Sequence, residues 1–511
     1  MKKSNAILGI SRFIIIALAI IIQAVIWWVI YFKLNKEYFW LQILSSIIGV
    51  VLFFAIVNKD QPAVYKIPWV ILFTIFPLGG VVVYFTFGNL KLNKKTVKRI
   101  NSVFKNNANE TQKSNTALTS LKNKNALIYG QAKYLSSVCN TLVYSDSLVE
   151  YISSGEEYFN LLKTELKKAT RYIFFEYFII EEGKVWSEIY DILKEKASNG
   201  VSVYLMYDDV GSMPRLNKNF HKKLNKIGIK AVKFNPFRPI VSVIHNNRDH
   251  RKITVIDGVV AFTGGINIAD EYANIKTPFG KWKDAGVIIK GNAVAGFVKT
   301  FCQLYNLASK QNLNVNDFLV FDIVTYNNEG YIVPFFDGPS PVSPERVAET
   351  AYLNVINQAT KYLYITSPYL VVDTNIIDAL INASRRGVDV KIILPQIPDK
   401  KIVSVMTRSN YEKLIDGGVK VYEYKGGFIH SKIFVSDDVC IIGTVNLDYR
   451  SLVHHFENAV LVSLSKVVLD VKTDFENIIK TNAILISKET AKQNPILKIL
   501  KGILNIFSPL F

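Results

Sequence analysis

The chain is short of three kinds of residue, and each shortage closes off a class of function. It has 3 cysteines in 511 residues. Cys139, Cys302 and Cys440 are widely spaced and lie outside any Cys-x-x-Cys pair, so neither a disulfide framework nor a cysteine zinc site is indicated. Histidine is also scarce, with 6 in all. The acidic pair Asp208 and Asp209 is not accompanied by a His, Asp or Glu cluster at recognisable ligand spacing, so no catalytic metal and no cofactor is expected. Acidic residues number 42 against 61 basic ones, and the net charge of +19 directs attention to anionic partners, either nucleic acid or a membrane surface.

Apolar residues, by contrast, are abundant. They make up 50% of the chain while charged residues make up 20%, a balance that places part of the chain in lipid. Residues 13–32, 39–57 and 67–88 are free of charge, and each approaches the roughly 20 residues a helix needs to cross hydrocarbon. Pro77, Gly79 and Gly80 interrupt the third, which reads equally as a re-entrant hairpin. The basic flank of Lys91, Lys94, Lys95, Lys98 and Arg99 retains the rest of the chain on the cytoplasmic side, although Lys2, Lys3 and Arg12 pull the other way if all three stretches cross. The expected localisation is the cell membrane, multi-pass, with a cytoplasmic catalytic portion.

The length calls for more than one domain. Residues 1–90 are expected to be the membrane region and 91–133 a solvated polar linker, with an amphipathic helix the lesser possibility. Beyond the linker, short apolar runs alternate with helical patterns in the manner of an α/β fold. Residues 171–180 read as a buried strand, 186–200 as an amphipathic helix closed by Gly200, and 201–209 as the next strand. The same order returns: "ATRYIFFEYF" is echoed by "ATKYLYITSPYL", and "SNGVSVYLMYD" by "RRGVDVKIILP". The nearly constant offsets mean an internal duplication, set at 134–325 and 326–490, with 491–511 an amphipathic tail.

Each half carries one copy of a short motif. "HRKITVIDG" begins at residue 250 and "HSKIFVSDD" at 430. His250, Lys252 and Asp257 repeat as His430, Lys432 and Asp437, and composition alone would produce one such match roughly 0.06 times at most. Strand alternation puts His and Lys of each copy on one face. A small-residue turn and an asparagine come next: Gly264, Gly265 and Asn267 in the first half, Gly443, Thr444 and Asn446 in the second. Glycine permits close backbone approach, and asparagine can donate to a phosphate oxygen without adding charge. Lysines beside imidazoles suit phosphodiester chemistry, in which the substrate's own charge repels nucleophiles. Asp257 and Asp437 complete the motif, with holding the loop the favoured role for them.

This doubled pattern resembles the phospholipase D superfamily, and within it the bacterial cardiolipin synthases, over nearly the whole chain. Thr444 stands where that family more usually has serine. The resemblance implies two duplicated phospholipase D-like halves, mixed sheets flanked by helices, forming one catalytic unit behind a helical transmembrane region. It implies transfer of a phosphatidyl group between phosphatidylglycerol molecules through a phosphohistidine, with phosphatidylglycerol and anionic membrane lipids as partners and no nucleic acid. By the same resemblance His250 is the nucleophile, His430 the acid, and Asp284 and Glu457 the orienting carboxylates, although sequence allows the two histidines to exchange roles. A phospholipase D-type hydrolase or a transferase with another acceptor shares every one of these residues. A nuclease of the same chemistry leaves the apolar stretches without a purpose.

Overall fold

The computed structural model describes residues 39–59, 63–75, 77–84, 94–105, 116–237, 247–309, 311–320, 330–343 and 345–492, with three isolated positions besides. The chain forms two compact units, one of apolar helices before Lys91 and one α/β body after it.

The first unit contains the helices Phe39–Val57, Ala63–Ile75 and Pro77–Val83. The third apolar stretch is therefore two helices. Pro77 opens the second of them, where its missing N–H is no loss, and Gly80 lets it pack closely, since a Cβ there would stand 2.9 Å from the Leu72 carbonyl oxygen. Ile56, Phe73 and Tyr84 form a small core. Nineteen residues at about 1.5 Å each make Phe39–Val57 slightly shorter than a bilayer's ~30 Å hydrocarbon. Among the described residues no helix is long and apolar enough to cross a membrane. The stretch 13–32 lies outside the described residues except for Val25, as does the tail beyond 492.

The second unit begins with the helices Lys94–Lys105, Thr116–Lys124 and Ala126–Val138. This differs from the polar linker expected over 91–133. Ile100 is buried, Phe104 packs on the core, and Arg99 donates to the Asn306 carbonyl at 2.8 Å, so a few apolar positions among many lysines suffice to dock the segment.

Two sheets make up most of the rest. The first contains β1 (Leu148–Ile152), β2 (Tyr172–Tyr177), β3 (Ser202–Asp208), β4 (Lys230–Phe234), β5 (Lys252–Ile256), β6 (Val260–Gly264) and β8 (Gly286–Lys290), in the order β1-β8-β6-β5-β2-β3-β4. The short β7 (Lys281–Lys283) stands apart from it. The second sheet contains β9 (Tyr331–Asp337), β10 (Tyr362–Thr366), β12 (Asp389–Pro395), β13 (Lys420–Tyr424), β15 (Ile433–Ser436), β16 (Val439–Gly443), β18 (Glu457–Ser463) and β19 (Ala483–Leu485), in the order β19-β13-β12-β10-β15-β16-β18-β9. Two small ribbons complete the fold. β11 (Leu370–Val371) pairs with β17 (Leu447–Asp448), and β14 (Gly427–Ile429) pairs with β7.

The wiring repeats. β2 lies parallel to β3 and antiparallel to β5, and β10 lies parallel to β12 and antiparallel to β15. The central strands are buried on both faces, which is why they read as continuous apolar runs. One core is shared by the halves: Phe174 stacked on Phe301 at 4.1 Å and Tyr364 stacked on Phe475 at 4.7 Å belong to the same cluster. Strand β5 starts at Lys252 and β15 just beyond Lys432, so each histidine sits where its sheet ends.

The motif aspartates lie at the far ends of those strands, away from the histidines. Asp257 and Asp437 adopt left-handed backbones, φ 53° and 46°, a region that Asp tolerates. The Asp437 carboxylate accepts from the backbone of Thr360 (2.8 Å), Lys361 (2.9 Å) and Tyr362 (3.3 Å) and from the Thr360 hydroxyl (2.7 Å). Asp257 does the same for Thr170, Arg171 and Tyr172. Both carboxylates thus clamp the start of β2 and β10, at the strand ends away from the histidines. Asp437→Ala should lower unfolding stability by about 1–3 kcal/mol, the cost of uncapping several donors, as read by denaturant unfolding, while the folded variant keeps its active-site geometry. Loss of activity without loss of stability would contradict the clamp.

Candidate active site

The site is made by an exchange between the halves. The segment before β5 pairs with the segment before β18: His250 N donates to the Phe456 carbonyl at 2.9 Å, and Phe456 N to that of Arg248 at 2.8 Å. The segment after β14 pairs with β7 and its end, where His430 N donates to the Lys283 carbonyl at 2.7 Å. These ladders place each histidine next to a carboxylate of the opposite half. His250 Nδ1 is 3.0 Å from Glu457 Oε2, and His430 Nδ1 is 2.6 Å from Asp284 Oδ2.

Carboxylate oxygens accept, so the proton of each imidazole resides on Nδ1 and the lone pair on Nε2. Lys432 Nζ lies 2.8 Å from His430 Nδ1, but that nitrogen is committed to Asp284. The ammonium's acceptor is the His430 carbonyl. Lys252 donates likewise to the His250 carbonyl, at 2.6 Å.

The supporting residues differ between halves. Thr444 donates its hydroxyl to Glu457 Oε2 and receives the amide N–H of Asn458 at 3.0 Å. At the equivalent place the first half has Gly265, where a Cβ would collide with Asp284 Oδ1. One carboxylate is held by an added hydroxyl, the other admitted by an absent side chain. Asn267 is engaged in the fold, its oxygen accepting from Ile179 N at 2.9 Å and its amide donating one N–H to the Tyr272 hydroxyl at 2.7 Å. Asn446 is buried with its Oδ1 lacking a hydrogen-bond partner.

Sequence reasoning missed the aromatic wall. The ring of Phe178 meets His250 edge-on at 4.8 Å, while Trp282, Tyr272 and Phe428 surround His430 at 5.2, 5.4 and 5.9 Å. They are ordinary core residues in a linear reading. His455, which belongs to neither motif, stands 5.3 Å from the His250 ring, its Nδ1 3.6 Å from Glu457 Oε1. Among the described residues, His250, His455 and Glu457 are the group whose donor atoms come near enough to one another, within 4.8 Å, to hold a metal ion. His250 and Glu457 are already joined to each other there. Asp208 is used for folding. It accepts from Val210 and Gly211 at 2.9 Å and from Asp249 at 3.0 Å.

Burial shapes the electrostatics. Removal from water, reinforced by Lys252 and Lys432, holds His250 well below its ordinary value, and burial with Lys432 brings His430 down to about 4. Burial likewise lowers Lys432 to about 7 and Lys252 to about 8. Burial would raise Asp284, but His430 and Lys432 prevail and keep it low. Two neutral imidazoles stand with two lysines poised near neutrality, an arrangement chemically able to receive an anion.

The cardiolipin synthase, phospholipase D-like domain family matches residues 162–302 and 352–479, so both halves fall within it. The chain belongs to this family. A cardiolipin synthase of Geobacillus sp. (strain WCH70) is 33% identical over 92% of this chain and 93% of its own. That of Staphylococcus aureus (strain Mu50) is 30% identical over 91% and 95%, and a Streptococcus mutans protein of uncharacterized role is 39% identical over 91% and 100%. Among solved structures, phosphatidylserine synthase of Haemophilus influenzae Rd KW20 aligns with TM-score 0.57 over 74% of this chain and 98% of that one, at 15% identity, a likeness of fold. The protein is thus a phosphatidyltransferase of the phospholipase D superfamily, a cardiolipin synthase relative working on phospholipids.

Two consequences can be measured. As pH rises, Lys432 and then Lys252 lose their protons, so kcat/KM, which reports the free enzyme, should fall through pH 7 to 8; a profile flat to pH 9 would contradict the assignment. Gly265→Ala should displace Asp284 and cut kcat at least about tenfold, given the 10²–10⁴-fold that a positioned acid or base contributes. Unchanged turnover would show that Asp284 has room to spare.

Proposed function

We propose that this cardiolipin synthase relative transfers the phosphatidyl group of one phosphatidylglycerol to another, giving cardiolipin and glycerol, at a membrane surface. The observation that carries this reading is the pair of buried imidazoles, each with Nδ1 tied to the other half's carboxylate and each beside a lysine. His250 is an imidazole that burial and the two lysines keep neutral, which suits a nucleophile. The shorter carboxylate bond to His430 suits the partner that must carry charge.

Lys252 and Lys432 receive the phosphodiester, with the Asn446 amide a further polar group beside it. The bound anion offsets the lysine fields and raises His430, which takes up a proton. His250 Nε2 attacks phosphorus, and the P–O bond to the head-group glycerol breaks as His430 delivers its proton to the departing oxygen. Neutral His430 then removes the proton from a second phosphatidylglycerol's hydroxyl. That oxygen attacks the phosphohistidine and frees His250. Protons and charge balance over the cycle. The aromatic wall keeps water from the intermediate.

The membrane part of the proposal draws on the helix Phe39–Val57, whose Leu44, Ile47, Val51 and Phe54 are exposed, an apolar stripe of the kind that suits lipid. The basic residues after it favour a cytoplasmic catalytic unit. In phosphatidylglycerol vesicles containing a chelator, cardiolipin and glycerol should appear in equal amounts, and both should vanish with His250→Ala or His430→Ala. Phosphatidic acid as the main product would replace transfer with hydrolysis.

A further inference from the structure

The helix Lys401–Arg408 and the loop before it form a lip whose outward face is apolar. Met406 and Thr407 turn inward and are buried, the Thr407 hydroxyl accepting from Leu370 N at 3.1 Å. Arg408 is fixed to Glu423 at 2.9 Å, so the helix is docked and its orientation set. Outward point Ile402, 46% exposed, and Val405, 36%, with Ile397 at 36% just before them. Single exposed apolar residues are unremarkable. In this lip three gather on one short segment, and two exposed lysines stand among them.

Lys400 lies over the Tyr369 ring at 5.5 Å, and neither it nor Lys401 forms an ion pair among the described residues. The nearby Asp399 is occupied by the Tyr369 hydroxyl at 2.6 Å. The lip adjoins the site. Tyr369, Lys400 and Phe428 line one recess, Phe428 contacts the His430 ring, and the charge of Lys400 reaches His250.

We propose that this lip seats on an anionic bilayer surface, with Ile397, Ile402 and Val405 in the headgroup boundary and Lys400 and Lys401 on lipid phosphates. Apolar side chains bracketed by cations outside any ion pair are the composition of an interfacial element. A second copy of the chain is a poorer occupant, because two such faces would bring four lysines together against only the two Asp399 carboxylates. The inference rests on the reading of the enzyme as a phospholipid transferase and adds where on the catalytic unit lipid arrives.

The test uses the full chain. Cys139, Cys302 and Cys440 are all buried, so Ile402→Cys can be labelled selectively with an environment-sensitive fluorophore. In bilayers containing phosphatidylglycerol the emission should shift to the blue relative to bilayers of phosphatidylcholine alone. In parallel, the double variant Ile402→Asp, Val405→Asp is assayed on vesicle phosphatidylglycerol and on a short-chain phosphatidylglycerol supplied as monomer. Vesicle activity should fall tenfold or more while monomer activity stays within twofold of the parent. No emission shift, or equal losses on both substrates, would overturn the lip. A shift that follows protein concentration in place of lipid would also overturn it, in favour of self-association. If the parent forms no cardiolipin from either substrate, the proposed function fails, and the emission shift still decides the lip by itself.

Discussion

The rest of the active site depends on the exchange of carboxylates between the halves. Glu457 orients His250 and Asp284 orients His430, so neither half holds a complete catalytic group. The exchange is enforced by backbone, through the bonds from His250 to Phe456 and from His430 to Lys283. Each carboxylate is the residue directly after the backbone acceptor, and its position is set by the ladder. The shared core around Phe174, Phe301, Tyr364 and Phe475 keeps those ladders in register.

The arrangement works against stability for the sake of chemistry. Two lysines, two histidines and two carboxylates are taken out of water together, and the lowered values of Lys252, Lys432 and His430 record the cost. Buried charges with imperfect pairing destabilise a fold. What they supply is a set of polar groups already organised around one spot, which under the proposed mechanism need not reorient solvent as charge develops. The asymmetry between Thr444 and Gly265 shows how the duplicated halves diverged around one task.

Much of the fold was legible in the sequence. The doubled motif, the repeated strands and the turns after them are local patterns, and the structure matches them because buried parallel strands must be continuously apolar. The crossing of partners was not legible, since the bonded residues lie 207 and 146 positions apart and either carboxylate could have served either histidine. For the aspartates of the motif, repetition signalled constraint without naming what they hold. Their constraint is the start of a strand. The helices after residue 94 were hidden because Ile100 and Phe104 sit among basic residues, and the aromatic wall was hidden because nothing separates a wall residue from a core residue until the sheets are folded.

The central claim is the crossed pairing, and the most direct measurement is histidine nuclear magnetic resonance with nitrogen-15 labelling, comparing the parent with Glu457→Gln and Asp284→Asn. The Nδ1 proton of His250 should lose its low-field resonance in Glu457→Gln and keep it in Asp284→Asn, with His430 behaving the opposite way. If each histidine instead responded to the carboxylate of its own half, the halves would be two separate sites and the crossed pairing would be wrong.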